Sequence, residues 1–273
     1  MAEILIGTSA FTAAGWVGTF YPEGMKPADF LNFYSQHFST VEVDSTYYRI
    51  PTETMAKRWY AQTPAHFQFS LKMVQTVTHE KVMADCDEEC RNFFAAADLL
   101  GEKLGAILFQ FPYFSRNVFP DDAAFLKRLI PFVKKLPNGY HFALEIRNRH
   151  WLTPQLLDTL RERQIALALI DHPWMPRPEE ILSRFEVTAS DFAYIRLLGD
   201  RKAIEEKTKT WDKVIVDRRV ELAEWVETVR KIHERKIKIL AYVNNHYAGH
   251  APATVRQLIE ILKQKLPDAI VKA

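Results

Sequence analysis

Short runs rich in β-branched and apolar residues alternate along this chain with longer stretches whose apolar positions recur every three or four residues. The short runs are Ile4–Gly7, Thr40–Asp44, Phe67–Lys72, Ala106–Gln110, His141–Glu145, Ala166–Asp171, Phe192–Arg196 and Ile237–Asn244. Several are apolar at successive positions, as parallel strands buried on both faces must be. Helical stripes fall between them: Cys90, Phe93, Phe94 and Ala97; Leu222, Trp225, Val226 and Val229; Val255, Leu258, Ile259 and Leu262. Thr153-Pro154 reads as an N-cap followed by proline at the first helical position. Pro173, Pro176 and Pro178 break the pattern after the sixth strand, and 199–217 reads as a long polar loop.

Strand and helix alternating eight times predict an α/β fold: one domain, 1–273, closed as a (β/α)8 TIM-type barrel that is irregular around the sixth helix. The competing arrangement is an open doubly wound sheet. Gly7-Thr8-Ser9-Ala10 lacks the glycine-rich phosphate fingerprint expected there, and no linker divides the chain.

Composition narrows the function. Lys plus Arg is 36 and Asp plus Glu is 34, a net charge of +2, so bulk nucleic-acid binding is not expected. With 48% apolar residues the chain is not a disordered segment. The start, Met1-Ala2-Glu3-Ile4, lacks the basic and apolar regions of a signal peptide, and no apolar run is long enough for a membrane span. Cys86 and Cys90 read as reduced thiols, and the expected location is cytoplasmic.

In a barrel, chemistry gathers where the strands end. The strand ends here carry Glu42 and Asp44, Lys72, Gln110, Glu145 and Arg147, Asp171, Arg196, and Asn244 with Asn245. Polar side chains crowded at one mouth cost desolvation energy unless paired, which points to a binding or catalytic task. Glu145 is the expected general acid or base, with Asp171 assisting. Lys72, Arg147 and Arg196 are expected to hold an anion. His79 is a further proton-transfer candidate, and Trp16, Tyr47 and Tyr48 offer aromatic faces.

Those same residues lie in stretches that resemble the YecE-like family, bacterial and archaeal proteins grouped as a domain of unknown function. The resemblance runs nearly end to end. It is carried by Ile6-Gly7-Thr8-Ser9 with Trp16-Val17-Gly18-Thr19-Phe20-Tyr21-Pro22, by Val41-Glu42-Val43-Asp44-Ser45-Thr46-Tyr47-Tyr48, and by Phe69-Ser70-Leu71-Lys72 with Thr78-His79. Phe109-Gln110-Phe111-Pro112, Leu144-Glu145-Ile146-Arg147 and Tyr242-Val243-Asn244-Asn245 complete it. It implies a TIM-type barrel with a polar mouth and no particular reaction. Asp44 stands where the family pattern has Asn, and Leu198 where it has His.

The expected function is therefore an enzyme acting on a small anionic substrate, phosphorylated, sugar or nucleotide-like. Hydrolase, lyase and isomerase chemistry all fit. The alternative is a non-catalytic module for a nucleotide or single-stranded nucleic acid. No cofactor is expected. A divalent ion held by Glu145, Asp171 and His246 is the minority reading, opposed by the neighbouring lysine and arginines.

Overall fold

The computed structural model describes residues 2–272 except 185, 187 and 190. Eight parallel strands form the barrel: β1 (Glu3–Thr8), β2 (Thr40–Val43), β3 (Gln68–Lys72), β4 (Leu104–Gln110), β5 (Phe142–Glu145), β6 (Ala166–Asp171), β7 (Phe192–Leu197) and β8 (Lys238–Val243). Each pairs with the next, β8 pairs with β1, and β1 pairs with β2, which closes the ring. A short strand, β9 (Ile270–Lys272), lies parallel to the start of β1. The helices are α1 (Phe30–Ser35), α2 (Glu53–Gln62), α3 (Asp87–Asp98), α4 (Asp122–Lys135), α5 (Pro154–Glu162), α6 (Pro178–Arg184), α7 (Arg201–Glu205), α8 (Arg219–Glu234), α9 (Asn245–Ala248) and α10 (Ala251–Lys265).

The eight expected strands are all present. As predicted, Thr153 caps α5, accepting a hydrogen bond from the Leu156 amide at 3.4 Å. Among the described residues, the proline-broken region after β6 holds the seven-residue α6. The stretch expected to be an open loop, 199–217, contains a helix: Asp200 accepts from the Ala203 amide at 3.1 Å and so starts α7. A side chain able to satisfy an orphan amide makes a short helix worthwhile even in a polar segment. Among the described residues no helix is long and apolar enough to cross a membrane.

Strand alternation sorts the side chains into two shells. Leu5, Leu108, Ala168, Tyr194 and Tyr242 belong to the core inside the barrel, whereas Ile6, Phe69, Phe109, Leu169 and Ile239 belong to the larger core between sheet and helices. Alanines at 106, 143, 166 and 168 line the inner side of β4, β5 and β6. Small residues there leave space for the buried Tyr194, Tyr242 and Arg196 brought in by β7 and β8.

The β1–β2 seam is the tight point of closure. These strands meet only at Thr8 and Val41. A Cβ on Gly7 would lie 1.9 Å from the Thr40 carbonyl oxygen, so glycine is required by contact, not by backbone angle. The Tyr34 hydroxyl accepts from the Thr8 amide at 2.9 Å and donates to the Thr40 carbonyl at 3.1 Å, supplying a link that the ladder lacks. The Tyr242 hydroxyl, 2.8 Å from Thr40 Oγ1 and 2.7 Å from Ser70 Oγ, ties β8 across to β2 and β3. Substituting Gly7→Ala is expected to lower stability by roughly 1–3 kcal/mol or more, as overpacking does. Urea unfolding should show an earlier midpoint at unchanged slope.

Candidate active site

The inward register of each strand runs on past its last residue, and this delivers a set of polar side chains to the C-terminal mouth. At its base lies Arg196, only 2% exposed. Its Nε and Nη2 donate to Glu42 Oε1 at 3.1 and 2.6 Å, and its Nη1 donates to Glu145 Oε2 at 2.5 Å. Nη2 also reaches Asp44 Oδ1 at 3.4 Å. Glu42 and Glu145 are fully buried. Tyr194 donates its hydroxyl proton to Glu42 Oε2 at 2.7 Å, and Arg147 Nε donates to Glu145 Oε1 at 3.0 Å. Each oxygen of both buried carboxylates thus has a partner, which is what makes their burial tolerable.

The two carboxylates differ electrostatically. Burial alone raises the Glu145 carboxyl, but the charges of Arg196, Arg147 and Lys72 outweigh it and hold it at about 2. For Glu42, burial dominates over Arg196, and the negative charge of Asp44 adds to it, so that carboxyl is pushed upward. A proton entering the base of the mouth goes to Glu42 first.

Above this base opens a cavity of about 450 Å³. Its charged walls are Asp44, Lys72, Arg147, Arg196 and Arg201, joined by Tyr47, Gln110, His172, Asn244 and His246. Of these cations, Arg196 belongs to the buried pairs at the base and Arg201 is paired with Glu205 at 2.8 Å, which leaves Lys72 and Arg147 facing Asp44. Lys72 Nζ stands 3.8 Å from Asp44 Oδ1 and 4.4 Å from the centre of the Tyr47 ring. Thr46 fixes the end of β3: its Oγ1 accepts from the Lys72 amide at 3.0 Å and donates to the Lys72 carbonyl at 2.7 Å. His79, on a π-helical turn over Thr76–Glu80, meets the Tyr47 ring edge to face at 4.9 Å. The chain beyond it holds Val82, Met83 and Asp85 at φ of 44°, 67° and 47°, a strained run.

Burial, with the positive charges of Lys72 and Arg147, brings the His79 imidazole down to about 4. Burial and Arg147 also lower His172, and burial lowers His246 against the pull of Glu205. All three rings are neutral at neutral pH.

Eleven of the expected positions fall at or around this mouth: Glu42, Asp44, Tyr47, Lys72, His79, Gln110, Glu145, Arg147, Arg196 and Asn244 by the contacts above, and the Tyr48 ring in the cavity wall. Three do not. Asp171 faces outward and accepts from Trp225 Nε1 of α8 at 2.8 Å. Trp16 is 1% exposed and donates to Asn245 Oδ1 at 3.2 Å, and Asn245 also accepts the Ala251 amide at 2.9 Å. Trp16 and Asn245 thus join the first loop to the start of α10 instead of facing a ligand. Gln110 lines the cavity while its amide donates to the Phe111 carbonyl at 2.7 Å.

The triad Glu145, Asp171 and His246 does not converge, so the metal set expected from it is corrected. Glu145 is taken by two guanidinium groups and Asp171 by Trp225. His246 lies 3.0 Å from Glu205 and 2.6 Å from Asn244. Among the described residues no group of three His, Cys, Asp or Glu side chains is placed to hold a metal ion.

His172 was missed as a site residue, and strand parity could have found it. Ile170 belongs to the inner core, so the next inward residue is His172, and Asp171 must point out. The same parity selects Asn244 over Asn245, after Tyr242. Arg201 and His246 come from α7 and α9 and carry no such signal. Gly199 makes room for α9: it holds φ +69°, and a Cβ there would lie 2.5 Å from the His246 carbonyl oxygen.

The chain matches the model of a family described as protein of unknown function DUF72 over residues 5–272. It is 26% identical over 258 residues to UPF0759 protein YunF of Bacillus subtilis, covering 89% of each. The crystal structure of a DUF72 family protein from Thermotoga maritima superposes with a TM-score of 0.74 at 27% identity, covering 97% of this chain and all of the other. D-psicose 3-epimerase of Clostridium cellulolyticum, at 12% identity and a TM-score of 0.52, shares the barrel fold.

Removing one partner of a buried ion pair leaves the other uncompensated, at a cost of about 3–5 kcal/mol. Glu145→Gln is therefore expected to destabilise strongly at pH 7 and Glu42→Gln less so. Because the folded Glu145 carboxyl sits below its ordinary 4.5, at about 2, its contribution is complete above that ordinary value and fades as pH falls toward about 2. Urea midpoints of wild type and Glu145→Gln should converge across that window.

Proposed function

The chain belongs to the DUF72 family of proteins of unknown function, and from its site we propose that it is an enzyme acting on a small anionic substrate held at the barrel mouth. The observation that carries this reading is the excess of cations on the cavity wall: Lys72, Arg147, Arg196 and Arg201 line it with Asp44, and Glu205 pairs Arg201 at its edge. The compensating carboxylates, Glu42 and Glu145, are committed below to Arg196 and Arg147. A positive, partly desolvated pocket attracts a carboxylate or phosphate, and charge-assisted hydrogen bonds from guanidinium groups orient it.

The roles divide by burial. Arg147, 27% exposed with only its Nε engaged by Glu145, is the leading anion ligand. Arg196 supplies fixed positive potential from beneath. Glu145, whose two oxygens are both occupied and whose carboxyl gains a proton only in strong acid, holds the two arginines instead of transferring protons. Proton transfer passes to Asp44, which lines the cavity and is 30% exposed, and to the neutral His172. Isomerase, lyase and hydrolase chemistry all use such a pairing of an anion clamp with a proton carrier.

One feature favours the second reading, a non-catalytic nucleotide site. Tyr113 and Trp174 are 58% and 61% exposed, their ring centres are 6.3 Å apart, and both line a neighbouring cleft that shares Arg147. An aromatic base stacked there would gain about 1–3 kcal/mol over the phosphate alone.

Calorimetric titration with inorganic phosphate separates these readings. Arg147→Ala is expected to weaken binding at least ~10-fold, the loss of one charge-assisted hydrogen bond. Asp171→Asn, away from the cavity, should leave it unchanged. Equal phosphate affinity in Arg147→Ala and wild type would sink the anion site. Tighter binding of a nucleoside monophosphate, lost in Trp174→Ala and unaccompanied by turnover, would favour the second reading.

A further inference from the structure

We infer that Lys72 is an imine-forming nucleophile, and that the substrate class is an aldehyde or ketone bearing an anionic group, such as a 2-oxo acid. This rests on the anion-site reading for the substrate's charge, not for the amine's reactivity.

The geometry sets Lys72 apart from the other cations of the mouth. Arg196 takes the short contacts of Glu42 and Glu145, and it shares Asp44 Oδ1, at 3.4 Å against 3.8 Å for Lys72 Nζ. Among the described residues Asp44 is the one carboxylate within 4 Å of that ammonium. The side chain is only 13% exposed, yet Lys72 lines the cavity, so its nitrogen is shielded from bulk water and open to a bound ligand. An amine that is desolvated and beside another cation is the activated form that carbonyl chemistry uses. The charged groups around it act in both directions. Burial and Arg196 lower the ammonium's hold on its proton, while Asp44, Glu145 and Glu42 oppose them. The net direction is downward. The Tyr47 ring favours the ammonium but also walls off water. A lysine kept only as a point charge would gain from a close carboxylate, and Arg147 and Arg201 already supply permanent charge without it.

The step balances without oxidant or reductant. The Nζ lone pair attacks the carbonyl carbon, an N–C bond forms, and the C=O electron pair moves to oxygen. Asp44 takes one proton from nitrogen and delivers it to the alkoxide, which gives a carbinolamine, and then relays the second amine proton to the hydroxyl. The C–O bond then breaks, and water leaves with the two amine protons. The imine so formed withdraws electrons from the neighbouring carbon, which suits the proton carriers Asp44 and His172 nearby.

Reductive trapping tests this on the intact protein. It is incubated with pyruvate, and separately with acetaldehyde, in the presence of cyanoborohydride at neutral pH, and adducts are mapped by peptide mass spectrometry. Lys72 is expected to be labelled at least ~10-fold faster than the exposed Lys57 and Lys135, as a larger free-amine fraction dictates. Asp44→Asn should slow trapping, and Lys72→Arg should abolish it at this position while keeping the fold. Labelling of Lys72 by both carbonyls without phosphate binding would uphold the amine and refute the anion site. Phosphate binding with Lys72 labelled no faster than Lys57 and Lys135 would overturn the inference and leave the anion site standing.

Discussion

A guanidinium group sealed from water inside a barrel must be answered by negative charge within hydrogen-bond reach, or the fold does not tolerate it. Arg196 meets this requirement with Glu42 from β2, Glu145 from β5 and Asp44 just past β2. Its planar fork makes simultaneous contacts to two separate strands, something a lysine ammonium does less well. The residues around it follow from the same need. Tyr194 satisfies the second oxygen of Glu42, and Arg147 that of Glu145. Small residues on β4, β5 and β6 leave the interior volume in which this cluster sits.

That buried network decides what the mouth can do. With Glu42 and Glu145 spent on Arg196 and Arg147, the accessible surface above is left positive although the chain as a whole is nearly neutral. The same spending leaves Lys72 with a single distant carboxylate, and it fixes Glu145 as an anion with little capacity to move a proton. The polar side chains thus separate by depth: ion pairs at the base, and Asp44, Lys72 and His172 at the cavity wall. The loops complete the wall. Gly199 permits α9 to approach, and the π-helical turn at Thr76–Glu80 puts His79 against Tyr47. Leu198 lines the cavity at the position where the family resemblance implies His.

The barrel was legible in the sequence because its strands are buried on both faces and stand out as apolar runs, each ending in a polar residue where burial ends. Alternation along a strand fixes the face, and so Lys72, Gln110, Glu145, Arg147 and Arg196 were all readable as inward. Where alternation was not applied, the reading failed: Asp171 and Asn245 follow inward residues by one position and point away. Trp16 was misread for a different reason. An aromatic in a loop looks the same whether it stacks on a ligand or packs beneath the rim, and only its 1% exposure separates the two.

The sequence by itself determined the closed barrel and the list of ionisable side chains near the strand ends, because periodicity and strand order are local properties of the chain. The tertiary structure alone decided which charges meet. Glu42 and Arg196 are 154 residues apart, and Glu145 and Arg196 are 51 apart. Pairing at those separations depends on barrel closure and side-chain depth, which no local pattern encodes. The balance of buried against accessible charge, and with it the positive mouth, exists only once the ring has closed.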